Sequence, residues 1–133
     1  MTAIQHLSAD NDAAVNASPQ VQSDGWSYVC EFSDLVVNSG VCALIDEKQV
    51  AIFNVKMNGT SSLFAVSNFD PIGKANVMYR GLVGSIGGVP VVASPLYKEH
   101  YSLETGECTE HPDIHLTSFA IKQDGERIYI RSV

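Results

Sequence analysis

The sequence predicts an all-β domain, a sandwich or barrel of short strands. About eight short runs rich in Val, Ile, Leu and aromatic residues alternate with turns that carry Gly, Asn or Asp. No segment holds an apolar period of 3.6 residues over roughly ten positions, so no long amphipathic helix is expected. The C-terminal end gives the sharpest signal. Phe119 and Ile121 share one strand face, Ile128 and Ile130 share another, and Asp124-Gly125 lies between them as a type I′ hairpin turn.

Taken in order, Trp26 to Cys30 is aromatic and β-branched and reads as a strand. Phe32 to Asn38 reads as a turn or helical bend, which Ser33 or Asp34 can cap and Gly40 ends. Val41 to Ile45 and Val50 to Val55 are apolar runs separated by Asp46-Glu47-Lys48-Gln49, a hairpin. Asn58-Gly59 is a turn dipeptide, and Leu63 to Val66 follows as a strand. Ser67 to Gly88 is Gly-rich and poorly periodic, and reads as a long loop of the functional kind. Val89 to Ala93 is a strand in which Pro90 demands an edge or a strand start. Glu99 to Leu103 is a further strand, closed by the turn Glu104 to Glu107. Thr117 and Lys122 bound the next strand, and Arg127 and Arg131 face outward in the last.

The 133 residues suffice for one domain. Eight basic residues against fifteen acidic ones give a net charge of −7, which argues against a nucleic-acid partner. No apolar run reaches the roughly 18 residues a membrane helix needs, so no membrane partner is expected. Residues 1–25 contain no Lys or Arg and carry Asp10, Asp12 and Asp24. They lack the basic start and apolar stretch of a secretory signal and the Arg of a mitochondrial presequence. The expectation is a mobile acidic tail over 1–25, with Ile4, Leu7 and Val15 as weak anchors should it dock, and a β domain over 26–133. Three cysteines and four histidines require placement; the odd cysteine count does not suggest a disulfide framework.

Cys108, His111 and His115 have near-zinc spacing, but three ligands with Pro112 between the histidines and no second Cys pair nearby fit a polar loop better. Gly81, Gly84, Gly87 and Gly88 match neither phosphate-loop pattern and precede no helix, so they read as turns. No nucleophile elbow and no Ser, His and acid triad can be picked out. His100 reads as an exposed strand residue. Cys30 and Cys42 fall in strands, as small buried thiols do.

Two segments resemble the cluster-binding loops of Rieske ferredoxin-like domains, which carry a C-x-H box after a strand, then a C-P-x-H box, then a strand ending in a D-L-x-T-G type of turn. The first segment is Phe64 to Gly73, with Asn68-Phe69-Asp70-Pro71 at its centre; the second is Ala93 to Gly106, with Ser94-Pro95-Leu96-Tyr97-Lys98. The opening Trp26 to Gly40, the turn Leu103 to Gly106 and the closing hairpin also fit that pattern. The resemblance implies a Rieske-like [2Fe-2S] ferredoxin-type β-sandwich or barrel with two loop tips. The positions equivalent to the Rieske ligands hold Asp70, Ile72, Ser94 and Tyr97. A Rieske centre needs two Cys and two His there, and Ile72 has no lone pair, so no [2Fe-2S] cluster and no metal is expected. Ile72 and Tyr97, with Pro71, Pro95 and Leu96, are expected to pack the tips together, the Tyr97 hydroxyl meeting Asp70.

This ligand-free pattern is similar to the small-subunit family of bacterial assimilatory NAD(P)H-dependent nitrite reductases. It implies a cytoplasmic, cofactor-free chain, not catalytic alone. It would support a large subunit carrying FAD, a [4Fe-4S] cluster and sirohaem as that subunit reduces nitrite to ammonium. Lys74, Arg80, Lys98 and His100 are the expected docking surface. The competing classes are a true Rieske electron carrier, which would be brown and contain iron, and a free-standing Rieske-like binding or interaction domain.

Overall fold

The structure, a computed structural model, describes residues 25–131. The expected tail, residues 1–25, thus lies outside the described residues apart from Gly25. Eleven strands follow: β1 (Trp26–Glu31), β2 (Ser39–Ile45), β3 (Lys48–Met57), β4 (Thr60–Ser67), β5 (Phe69–Asp70), β6 (Ala75–Asn76), β7 (Leu82–Ile86), β8 (Val89–Ala93), β9 (His100–Ser102), β10 (Ser118–Asp124) and β11 (Arg127–Arg131). They form a six-stranded sheet in the order β1-β11-β10-β4-β3-β2, a small β5-β6 hairpin, and a three-stranded sheet in the order β7-β8-β9.

The hairpins follow from turn chemistry. Asp46 and Glu47 both have positive φ, at 50° and 66°, between the paired residues Ile45 and Lys48. That is a two-residue type I′ turn, tighter than the four-residue turn the polar run suggested, so Lys48 and Gln49 join β3. Asn58-Gly59 behaves as expected, with φ of 53° and 79°. The closing hairpin differs by one residue. Asp124 pairs with Arg127, so the turn is Gly125-Glu126, and only Gly125 has positive φ. This is the pattern of a type II′ turn, which needs glycine at its first central position.

The six-stranded sheet curls. Val29 and Cys30 of one edge strand share a core with Val41, Ala43 and Ile45 of the other, and with Val50, Ile52, Ala65, Ile128 and Ile130. Phe119 and Ile121 pack against this core, as their alternation implied. The opposite face of β3 and β4 carries Ala51, Phe53, Val55 and Val66, which share a core with Val92 and Tyr101 of the second sheet and with Leu103, Cys108 and Leu116 of the segment after β9. Alternate residues of β3 therefore serve two cores, which is why Val50 to Val55 reads as one unbroken buried run. Burying a side chain such as Ile52 or Phe53 contributes about 1.5–3 kcal/mol.

The long loop expected over Ser67 to Gly88 is a correction. It holds β5, β6, a 3-10 turn at Met78–Arg80 and the whole of β7. β7 escapes a periodic reading because Leu82, Gly84, Ser85 and Ile86 are all exposed, and neither face carries an apolar alternation. Gly84 is thus a strand residue, while Gly87-Gly88 makes the β7-β8 turn. Pro90 belongs to a central strand, yet the start of one: the β9 ladder ends at Ser102 opposite Val91, so the missing N–H falls just beyond it.

Candidate functional site

Two turns at one end of the small sheets have the same construction. Asp70-Pro71-Ile72-Gly73-Lys74 leaves β5, and Ser94-Pro95-Leu96-Tyr97-Lys98 leaves β8. In each, the N–H of the lysine donates to the carbonyl of the first residue, at 2.7 Å for Lys74 to Asp70 and 3.1 Å for Lys98 to Ser94. The first side chain also accepts from two residues on: Ile72 N–H reaches Asp70 Oδ1 at 2.9 Å, and Leu96 N–H reaches Ser94 Oγ at 3.2 Å. This is the local habit of Asp and Ser at turns. Each turn ends on a lysine in left-handed backbone, with φ of 60° at Lys74 and 68° at Lys98. That conformation costs an ordinary L-residue roughly 1–2 kcal/mol.

The bases of the two turns are joined. Ser94 Oγ donates to Asp70 Oδ2 at 2.5 Å, with both side chains buried. The Gly73 N–H adds a bond to Asp70 Oδ1 at 2.9 Å. Burial by itself pushes the Asp70 carboxyl up, but the bonds from Gly73, Ser94 and Ile72 outweigh it and hold the group below the ordinary carboxylate range. The Tyr101 hydroxyl lies buried beside this carboxylate, outside hydrogen-bonding geometry; burial and then the Asp70 charge push the phenol up. Gly73 must be glycine here, because a Cβ would stand 2.4 Å from Leu96 Cδ1 and 2.9 Å from Asp70 Oδ2.

Asn68 bolts the first turn to the main sheet. Its Nδ2 donates to Gln49 Oε1 at 3.0 Å, its Oδ1 accepts from Tyr79 N–H at 2.8 Å, and its carbonyl accepts from Met78 N–H at 3.0 Å. Gly106 closes the turn that follows β9, its N–H donating to the Ser102 carbonyl at 2.7 Å. It has φ of 86°, and a Cβ there would lie 2.0 Å from the Leu116 carbonyl oxygen. No side chain fits.

The residues singled out in sequence are only partly brought together. Asp70 and Ser94 meet, and Ile72 is half-buried beside them. Tyr97 does not pack the tips together as expected: it is 64% exposed, and Leu96 is 44% exposed. Ser94 Oγ and the N–H groups of Ile72 and Gly73 bond the Asp70 carboxylate from within, while the Tyr97 side chain stands in solvent. Lys74 and Lys98 crown the two turns. Arg80 sits apart on the 3-10 turn, its guanidinium 5.4 Å over the Tyr79 ring. His100 is engaged rather than free, Nδ1 lying 2.7 Å from Glu110 Oε2. Glu110 was missed in sequence. Its slight burial pushes it up, but bonds from the His100 N–H and ring, with the ring's charge, prevail and hold it down at about 2.

A [2Fe-2S] cluster does not fit this donor set. Among the described residues, no three of His, Cys, Asp and Glu converge. Cys30 belongs to one core and Cys108 to the other, while Cys42 contacts Gln49 and Asn68. Among the described residues, no helix is long and apolar enough to cross a membrane.

Residues 25–131 match the family model of the Rieske-like [2Fe-2S] domain. The nitrite reductase (NADH) small subunit of Escherichia coli is 40% identical over 85 residues, covering 64% of this chain and 77% of that protein. The solved nitrite reductase [NAD(P)H] small subunit of Erwinia carotovora superposes with a TM-score of 0.69 at 31% identity, covering 84% of each chain. The nitrite reductase [NAD(P)H] large subunit of Klebsiella oxytoca is 28% identical over 117 residues, which is 88% of this chain and 12% of that protein's length. With its two Rieske-type turns closed on each other by Asp70 and Ser94, the chain belongs to the Rieske-like [2Fe-2S] domain family and, within it, to the nitrite reductase (NADH) small subunits.

Proposed function

We propose that this chain is the cofactor-free small subunit of a cytoplasmic, assimilatory NAD(P)H-dependent nitrite reductase. It supports a large subunit that carries FAD, a [4Fe-4S] cluster and sirohaem and reduces nitrite to ammonium. The chain holds no reacting group of its own; residues 26–133 act as a single scaffold domain. Asp70, Ile72, Ser94 and Tyr97 stand at the positions of the four lost Rieske ligands. The observation that carries this reading is the bond from Ser94 Oγ to Asp70 Oδ2, which links the two turns directly where a Rieske domain links them through iron.

A hydrogen-bonded pair is redox-inert, so the contribution of the chain is shape and charge. Lys74, Arg80, Lys98 and His100 lie at or near the turn end of the domain and form the docking surface for the large subunit. His100 serves it through its pair with Glu110, which fixes the ring. The experiment is genetic and biochemical. Deleting the chain should abolish nitrite-dependent NAD(P)H oxidation, and adding back the chain should restore it. Full activity without the chain argues against this function.

A further inference from the structure

We infer that the two turns act together as a plug, and that its seat is an apolar socket on the large subunit rimmed by carboxylates. The inference rests on the small-subunit reading above and adds to it the chemistry of the seat.

The plug is rigid at its base and bare at its tip. Asp70 and Ser94 are buried and bonded, and Gly73 lies directly under Leu96. Beyond them Leu96 and Tyr97 are exposed, and Phe69, next to Asp70, is 41% exposed. Large apolar side chains standing on a held backbone lose little conformational freedom on binding, and tyrosine is a frequent interface anchor.

The charge gives the chemistry of the seat. Lys74 and Lys98 occupy equivalent ends of the two turns, each in left-handed backbone that glycine or asparagine adopts more easily. Two independent turns keep a cation there despite the strain. Among the described residues, neither Lys74 nor Lys98 has a carboxylate within 4 Å. In a chain of net charge −7, two unopposed cations flanking an apolar tip call for carboxylates supplied from outside. A segment similar to this chain is part of the Klebsiella oxytoca large subunit, which fits a lasting seat within one assembly.

The test measures binding of the full chain to purified large subunit, with variants that separate charge from fold. Tyr97→Ala should weaken binding at least tenfold. Lys74→Gly with Lys98→Gly relieves the strained backbone and removes the charge together. It should keep or raise the melting temperature, yet weaken binding and flatten its salt dependence. Lys122→Glu with Arg131→Glu, on the outer face of β10 and β11, should bind as the unaltered chain does. If both sets of turn variants bind like the unaltered chain, the plug is wrong and the small-subunit reading stands. If the unaltered chain does not bind the large subunit, the small-subunit reading fails and the plug with it.

Discussion

Ser94 Oγ and Asp70 Oδ2 meet 2.5 Å apart between two turns that lie 24 residues apart in the chain. The pair is buried, and Asp70 gathers two further N–H donors around the same carboxylate. Asp70→Ala leaves the Ser94 hydroxyl and the N–H groups of Ile72 and Gly73 without their acceptor, and should cost about 1–3 kcal/mol. Ser94→Ala removes one donor of three and should cost less. Urea unfolding of both single variants and the double variant checks this; the double should cost clearly less than the sum of the singles.

Acid should unfasten the same turn. The folded pKa of Asp70 is depressed, so its contribution to stability is complete above the unfolded carboxyl value of about 4 and is lost as pH falls through the folded value. The stability gap between the unaltered chain and Asp70→Asn should therefore narrow below about pH 4 and be constant above it. Glu110 behaves the same way, with its folded value at about 2. A carboxyl carbon titration by NMR reads both groups directly.

Two glycines separate shape from chance. Gly106→Ala places a methyl against the Leu116 carbonyl at positive φ, and should destabilise by roughly 2 kcal/mol or more. Gly84→Ala meets nothing within 4 Å in an exposed strand and should be neutral or stabilise by about 0.5–1 kcal/mol. Thermal unfolding should show a clear fall in melting temperature for Gly106→Ala and no fall for Gly84→Ala.

The thiols should be unreactive until the fold opens. Cys30, Cys42 and Cys108 are free and buried, and burial pushes each thiol up, so little thiolate exists near neutral pH. A thiol reagent should label none of them quickly in native protein and all three in urea.

Sequence located the core strands well, because Val50 to Val55 stands out as an apolar run and the closing hairpin states its faces through residue type. It carried the two turns through their motif: Asp-Pro and Ser-Pro set a local geometry that needs no distant partner. It missed β7, whose solvent-exposed residues give no alternation. It also misjudged Tyr97. Which donor reaches Asp70 depends on how β5 and β8 come together, and the nearby Ser94 wins over a longer side chain. Glu110 was invisible for the same reason, since its pairing with His100 exists only once β9 has folded back.

The most direct measurement is a reconstitution with metal analysis. The purified chain is assayed for iron and visible absorbance, then added to large subunit prepared without it, and nitrite-dependent NAD(P)H oxidation is followed. A colourless, iron-free chain that restores the activity is the expected result. A chain that must carry iron to restore it, or one that leaves the activity unchanged, contradicts a cofactor-free subunit built on the Asp70–Ser94 clasp.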